Sequence, residues 1–127
     1  MRILGVGVDI VENLRINKSI QNKSFINRIF TKKEVLLSKK HINKTLYFAK
    51  RFAAKEALVK SLGTGFRKGI NFNDISIIND KLGKPEFILS NKIKTLIKKN
   101  FKVSSFDFLL SISDEKKYSI AFVILQK

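Results

Sequence analysis

Apolar positions alternate with small or polar ones at the start of the chain. Over residues 2–10, Ile3, Leu4, Val6, Val8 and Ile10 are β-formers with Gly5 and Gly7 between them, and this spacing predicts a strand. Glycine within a strand marks a bulge or the close approach of another backbone or a ligand. Asp9 then falls near the end of a buried strand, where a carboxylate is costly without a partner. Residues 12–21 read as a short helix or turn. Thr31-Lys32-Lys33-Glu34 has the form of a capping box and opens a short helix carrying Val35, Leu36 and Leu37. A loop around His41-Ile-Asn43 follows. Residues 44–62 then hold the longest helical pattern, which Gly63 ends.

The pattern changes in the second half. Residues 74–79 and 86–89 read as strands, joined by the turn-rich Asp80-Lys-Leu-Gly-Lys-Pro85. Ser90 is placed to cap a helix over 91–99 with Ile93, Leu96 and Ile97 on one face. Residues 104–113 and 117–125 form a final pair around Asp114-Glu-Lys116. No repeat and no low-complexity linker interrupts the chain. The order predicts one α+β domain over residues 1–127, with helices packed against an antiparallel sheet.

Composition fits a globular protein: 127 residues, 44% hydrophobic and 28% charged. With no cysteine and one histidine, His41, disulfides and thiolate metal sites are excluded and an all-protein zinc site is not expected. The formal net charge of +16 has two readings. It fits an acidic partner, or it follows from composition, because 21 of the 26 basic residues are Lys and the chain is also rich in Ile, Asn and Phe, all with A/T-rich codons. The opening apolar run stops at Asp9 and lacks the form of a signal peptide, and no stretch approaches the ~20 apolar residues of a membrane span. A cytoplasmic protein with no membrane partner is expected. A nucleic-acid-binding module would account for the charge, but the basic residues are scattered, and Phe48, Phe52, Phe108 and Phe122 read as core rather than stacking platforms. No nucleic-acid partner is expected.

The candidate chemistry gathers on the long helix. Phe48, Phe52, Glu56 and Lys60 are spaced by four and share a face, while Ala49, Ala53 and Ala57 form an adjoining stripe suited to close packing. Glu56 and Lys60 in this orientation have a plain reading as a helix-stabilising pair worth about 0.2–0.5 kcal/mol. The alternative takes Asp9 with Glu56 as two hard carboxylates from separate elements, which suit Mg²⁺ completed by water and phosphate oxygens. Lys60 would then offset charge on a phosphoryl group. The backbone of Gly63-Thr-Gly65 would approach phosphate, because glycine has no Cβ to hold it off.

At these residues the sequence resembles the holo-acyl-carrier-protein synthase family of phosphopantetheinyl transferases. Gly5-Val-Gly-Val-Asp-Ile10 with Arg15-Ile16, Arg51-Phe-Ala-Ala-Lys-Glu-Ala57 through Lys60 and Gly63-Thr-Gly65, Gly83-Lys-Pro85, and Ser111-Ile-Ser113 followed by Tyr118-Ser-Ile-Ala121 match its motifs in order. The resemblance implies Mg²⁺-dependent transfer of 4′-phosphopantetheine from coenzyme A to a serine of an acidic acyl carrier protein, with release of 3′,5′-ADP, in fatty acid biosynthesis. It makes Asp9 and Glu56 the metal ligands and, with Lys60, the catalytic group. Arg51, Lys60, Gly63, Thr64, Gly65 and Pro85 become the coenzyme A contacts. Arg15, with Lys18, Lys23 and Arg28, becomes the carrier-docking patch, and the assembly a homotrimer with sites between subunits. One position departs from the pattern: many members have His after Ser-x-Ser, where Asp114 stands here. An ionised carboxylate only accepts hydrogen bonds, so Asp114 is left to hold a water, to approach the adenine side or to serve the turn.

Overall fold

The computed structural model describes residues 1–63 and 69–127. Strand β1 (Ile3–Glu12) leads into three short helices, α1 (Asn13–Ser19), α2 (Lys23–Ile29) and α3 (Lys32–Ser38), and then the long helix α4 (Lys44–Ser61). After a single 3-10 turn at Phe72–Asp74 come the hairpin β2 (Ile75–Asn79) and β3 (Pro85–Leu89), helix α5 (Asn91–Phe101), and the pair β4 (Asp107–Asp114) and β5 (Tyr118–Gln126). Both sheets are antiparallel, one ordered β1-β5-β4 and the other β2-β3. This is the expected α+β architecture. The sequence pattern left residues 22–30 unassigned. They form α2, started by Asn22, whose side chain accepts from the Ser24 amide. No helix among the described residues is long and apolar enough to cross a membrane.

Helix α4 is the axis of the core. Asn43 caps it by accepting from the Leu46 amide, and Gly63, at φ 75°, takes the left-handed conformation that ends it. Ala49, Ala53 and Ala57 are fully buried, as their stripe predicts. The two glycines of β1 explain how close the strand comes. A Cβ on Gly5 would lie 1.9 Å from the Ser61 carbonyl oxygen, and one on Gly7 1.9 Å from that of Ala57. Residues two apart on a strand and four apart on a helix both repeat at roughly 6–7 Å. Two successive glycines of one strand face therefore meet two successive helical turns backbone to backbone, and the sequence expectation of a close approach is met. A register shift between Ile3 and Gly5 adds a bulge.

None of the described residues covers the opposite face of the three-stranded sheet. Val6, Val8 and Ile10 of β1 stand beside Ile124, Phe122 and Ile120 of β5, and Leu109 of β4 pairs with Ile124. Val6, Val8 and Ile10 are each more than half exposed. Phe122 corrects the sequence reading: it lies on this outer face, 41% exposed, and not in the core. The alternation of β5 assigns Ala121, Val123 and Leu125 inward instead.

Candidate functional site

The register of β1 decides where its carboxylate goes. Gly5, Gly7 and Asp9 lie on one face, so the side that lets α4 approach also presents Asp9 to it. Lys60 Nζ donates to Asp9 Oδ1 at 2.9 Å and to the Val8 carbonyl oxygen at 3.2 Å. The Asp9 side chain is 13% exposed, whereas that of Lys60 is 53% exposed and so free to leave. Glu56, one turn before Lys60, is half-buried. Burial raises its carboxyl above the ordinary value, and the charge of Asp9 raises it further, against the opposing pull of Lys60 and Arg15. Asp9, Glu56 and Lys60, predicted together, are together. The two carboxylates repel each other, and the cations that offset them, Lys60 and Arg15, both stand on exposed residues. A hard divalent cation suits that donor set. No group of three or more His, Cys, Asp or Glu side chains that would bind a metal without other ligands occurs among the described residues, so further ligands would have to come from water and substrate.

A second feature opens on the hairpin side of α4. Arg51 and Pro85, both expected at the coenzyme A site, line one cleft of about 240 Å³ with His41, Tyr47, Lys50, Ile77 and Asn79. The Arg51 guanidinium lies 3.6 Å over the Tyr47 ring and donates to the Tyr47 carbonyl oxygen at 3.2 Å. Its Nε–H is buried and has no partner among the described residues. Burial and then the Arg51, Lys50 and Lys44 cations push the His41 imidazole below its usual 6.5. The Arg51 and Lys50 cations that line the cleft favour an anion there. Gly63 is exposed at the C-terminus of α4, and Thr64 and Gly65 lie outside the described residues.

The four cations assigned to docking are exposed on α1 and α2. Lys18 and Arg28 flank one open cleft of about 360 Å³ that also contains Phe25. Arg15 faces elsewhere, with its guanidinium 5.9 Å from the Phe52 ring centroid and its charge felt by Glu56. Lys23 contacts neither feature among the contacts described. Asp114, last residue of β4, sits 3.5 Å from Lys50 Nζ.

A family model described as the 4′-phosphopantetheinyl transferase superfamily matches residues 5–123. A holo-[acyl-carrier-protein] synthase of Pelagibacter ubique is 64% identical over 127 residues, covering 100% of this chain and 99% of that protein. The chain belongs to the holo-acyl-carrier-protein synthases. The crystal structure of the Neisseria meningitidis synthase superposes with a TM-score of 0.89 at 38% identity, covering 98% of this chain and 99% of that one. The Bacillus anthracis synthase, crystallised in complex with CoA (3′,5′-ADP), gives 0.82 at 36% identity over 100% and 99% of the two chains.

In this synthase chain the sequence pattern passed over several residues that shape the site. Lys50 and His41 line the cleft, but each reads in sequence as an ordinary helix-surface or loop residue. Asn13 holds the β4–β5 turn against α1. Its side chain donates to the carbonyl oxygens of Glu115 and Lys116 and accepts from the buried Ser119 hydroxyl. Lys55 and Glu34 form an ion pair at 2.5 Å with both side chains fully buried. The capping box found Glu34 as a local cap, and the structure confirms that role. The same carboxylate also serves the core, a second duty that no local pattern encodes.

Proposed function

We propose that this chain transfers 4′-phosphopantetheine from coenzyme A to a serine of an acidic acyl carrier protein, with Mg²⁺, releasing 3′,5′-ADP in the service of fatty acid synthesis. The observation that carries this reading is the backbone contact of Gly5 and Gly7 with α4, which sets Asp9 beside Glu56 and Lys60. Asp9 and Glu56 would hold the metal, whose chemistry there is to withdraw charge from the pyrophosphate and orient it. A cation held by Asp9 would compete with Lys60 for the same carboxylate. The exposed ammonium can then turn to the phosphoryl oxygens, where negative charge grows in the transition state. Arg51, with Pro85 opposite, would receive the nucleotide end of coenzyme A, and the unpartnered Arg51 Nε–H and the Lys50 cation beside it support an anionic occupant. Gly63, Thr64 and Gly65 would supply backbone donors to phosphate.

The carrier would meet the basic surface of α1 and α2, with Lys18 and Arg28 beside Phe25 as charged rim and apolar floor, and with Arg15 closer to the chemistry. The uncovered Val6–Val8–Ile10 and Ile120–Phe122–Ile124 face supports a homotrimer, since second and third copies of the chain would bury it. Asp114, paired opposite Ser119 at the end of β4, would serve by pairing with Lys50 at the cleft, and the chain would act in the cytoplasm as one domain. The test is mass spectrometry of an apo carrier protein incubated with this protein, coenzyme A and Mg²⁺. A gain equal to one phosphopantetheine, abolished by Glu56→Gln in a variant that keeps its fold, is the expected result. Near-normal turnover by that variant overturns the metal assignment.

A further inference from the structure

The buried pair Lys55–Glu34 joins more of the molecule than any other polar contact among the described residues. Lys55 Nζ donates to the Ile29 carbonyl oxygen at the end of α2 (2.7 Å), to Glu34 Oε1 on α3 (2.5 Å), and to the Phe72 carbonyl oxygen in the 3-10 turn (3.3 Å). Glu34 Oε1 also accepts from the Thr31 amide at 3.0 Å, and Oε2 accepts from the Ile77 amide of β2 at 3.0 Å. The Glu34 carbonyl oxygen accepts from the Tyr47 hydroxyl at 2.6 Å. Tyr47 and Arg51 form one wall of the Arg51–Pro85 cleft, while Ile77 and Asn79 lead into the hairpin that forms the other. Both walls are thus fastened to one glutamate, and that glutamate is fastened to α4 by Lys55, one turn beyond Arg51.

We infer that the Lys55–Glu34 pair is a positioning device that sets the separation of α4 from the β2–β3 hairpin, and through it the fit of the nucleotide end of coenzyme A. Lys55 adjoins Glu56 in sequence, yet all three of its protons are directed to acceptors in the interior, so it acts through Arg51 and Ile77 and touches no reactant. A buried ion pair is weak evidence for stability, since well-packed apolar replacements are often no less stable. Its advantage is directional. The carboxylate fixes the amide of one particular residue of β2, and an apolar pair would hold the same volume without fixing register or distance.

The inference rests on the reading of the Arg51–Pro85 cleft as the nucleotide site, and the experiment separates the two. Calorimetric binding of 3′,5′-ADP is measured with the wild-type protein, Arg51→Met, Glu34→Gln, and the apolar double variant Glu34→Leu with Lys55→Met. Steady-state KM values for coenzyme A and for the carrier protein are measured alongside. Arg51→Met is expected to weaken 3′,5′-ADP binding, and if it does not, the cleft reading fails. With that reading intact, the double variant, which strips the Ile29 carbonyl and the Thr31 and Ile77 amides of their partners in the pair, is expected to fold with a lowered Tm and to bind 3′,5′-ADP about tenfold more weakly, with KM for coenzyme A raised and KM for the carrier unchanged. Glu34→Gln keeps the shape and one acceptor but leaves the buried Lys55 ammonium without its counter-charge, so its Tm also falls; folded at low temperature, it tests the same point if the double variant fails to fold, with a loss of the same kind. Wild-type 3′,5′-ADP affinity in every folded Glu34 or Lys55 variant overturns the inference, as does an equal rise in both KM values.

Discussion

Gly7→Ala links packing to chemistry most directly. The added Cβ would sit 1.9 Å from the Ala57 carbonyl oxygen and 2.8 Å from the Ser61 amide nitrogen, both backbone atoms of α4. Neither can swing aside as a side chain would, so β1 and α4 must part by about 1 Å before the contact is even tolerable. Overpacking of this kind costs typically about 1–3 kcal/mol, and contact with backbone on both sides puts this site at the upper end. For a domain of this size, about 3 kcal/mol lowers Tm by roughly 10 °C. The same displacement separates Asp9 from Glu56 and Lys60, and a misplacement of about 1 Å can cost about 10²-fold in rate. Thermal unfolding, Mg²⁺ titration and transfer rate should all fall together. Gly5→Ala meets the Ser61 oxygen just as closely but lies four residues from Asp9, so it should match the Tm loss with a smaller loss of Mg²⁺ affinity. Gly63→Ala, in open space at φ 75°, should cost only about 1 kcal/mol through its backbone conformation. A Gly7→Ala protein with wild-type Tm and Mg²⁺ affinity would refute the argument.

Glu56 makes stability depend on pH with a definite sign. Its folded pKa is raised above the ordinary 4.5, so between those values the folded state holds more protons and stability falls as pH rises. Without Mg²⁺, Glu56→Gln should therefore be at least as stable as the wild type at pH 8, with the advantage vanishing below the ordinary carboxylate range. The Tm rise on adding Mg²⁺ should grow with pH in the wild type and be absent in the variant; a Mg²⁺ response that survives in Glu56→Gln counts against the metal site. For carrier docking, Arg15 is a confounded test because Glu56 feels its charge, so the double reversal Lys18→Glu with Arg28→Glu is the cleaner one. It should raise KM for the carrier about tenfold, most at low ionic strength, with KM for coenzyme A unchanged; equal effects on both sink the docking idea. Phe122→Asp places a carboxylate on the outer sheet face, wet in a lone subunit but buried and unpaired between copies, where several kcal/mol oppose assembly. Sedimentation should show monomers, and an undisturbed trimer would remove this face from the interface.

The sequence exposed the parts of this molecule that depend on local period and gave little of what depends on long-range packing. The α4 stripe, the Asp80–Pro85 hairpin turn and the Ser90 cap are set by neighbours within a few residues, and each stands where its pattern places it. The glycines of β1 were legible as a close approach, though not as an approach to Ala57 and Ser61, because the partner of a strand is not written in the strand. Phe122 shows the limit on apolar residues. A hydrophobic side chain in an alternating strand signals burial, and nothing in one chain distinguishes burial in its own core from burial against another copy.

Lys55 shows the limit on charged residues. On its helix it stands beside Glu56 and within a turn of Arg51, and the chemistry of the segment invites a role at the reaction for every charge in it. The structure divides them by direction, since 100° of rotation per residue turns Lys55 into the core while Glu56 faces Asp9. Its partner Glu34 lies 21 residues away and was already accounted for as a local cap. A capping box accounts for Glu34 locally, and no local pattern marks the same carboxylate as the polar centre of the fold. Direction on the helix separates the groups that face the reaction from those that hold the cleft in place. For that reason Lys55 and Lys60, alike in type and five residues apart, should answer differently to loss of the ammonium. Lys60→Met should lower kcat with 3′,5′-ADP binding nearly intact, whereas Lys55→Met paired with Glu34→Leu should weaken 3′,5′-ADP binding first. Identical kinetic signatures from the two would mean that the helix does not divide its charges in this way.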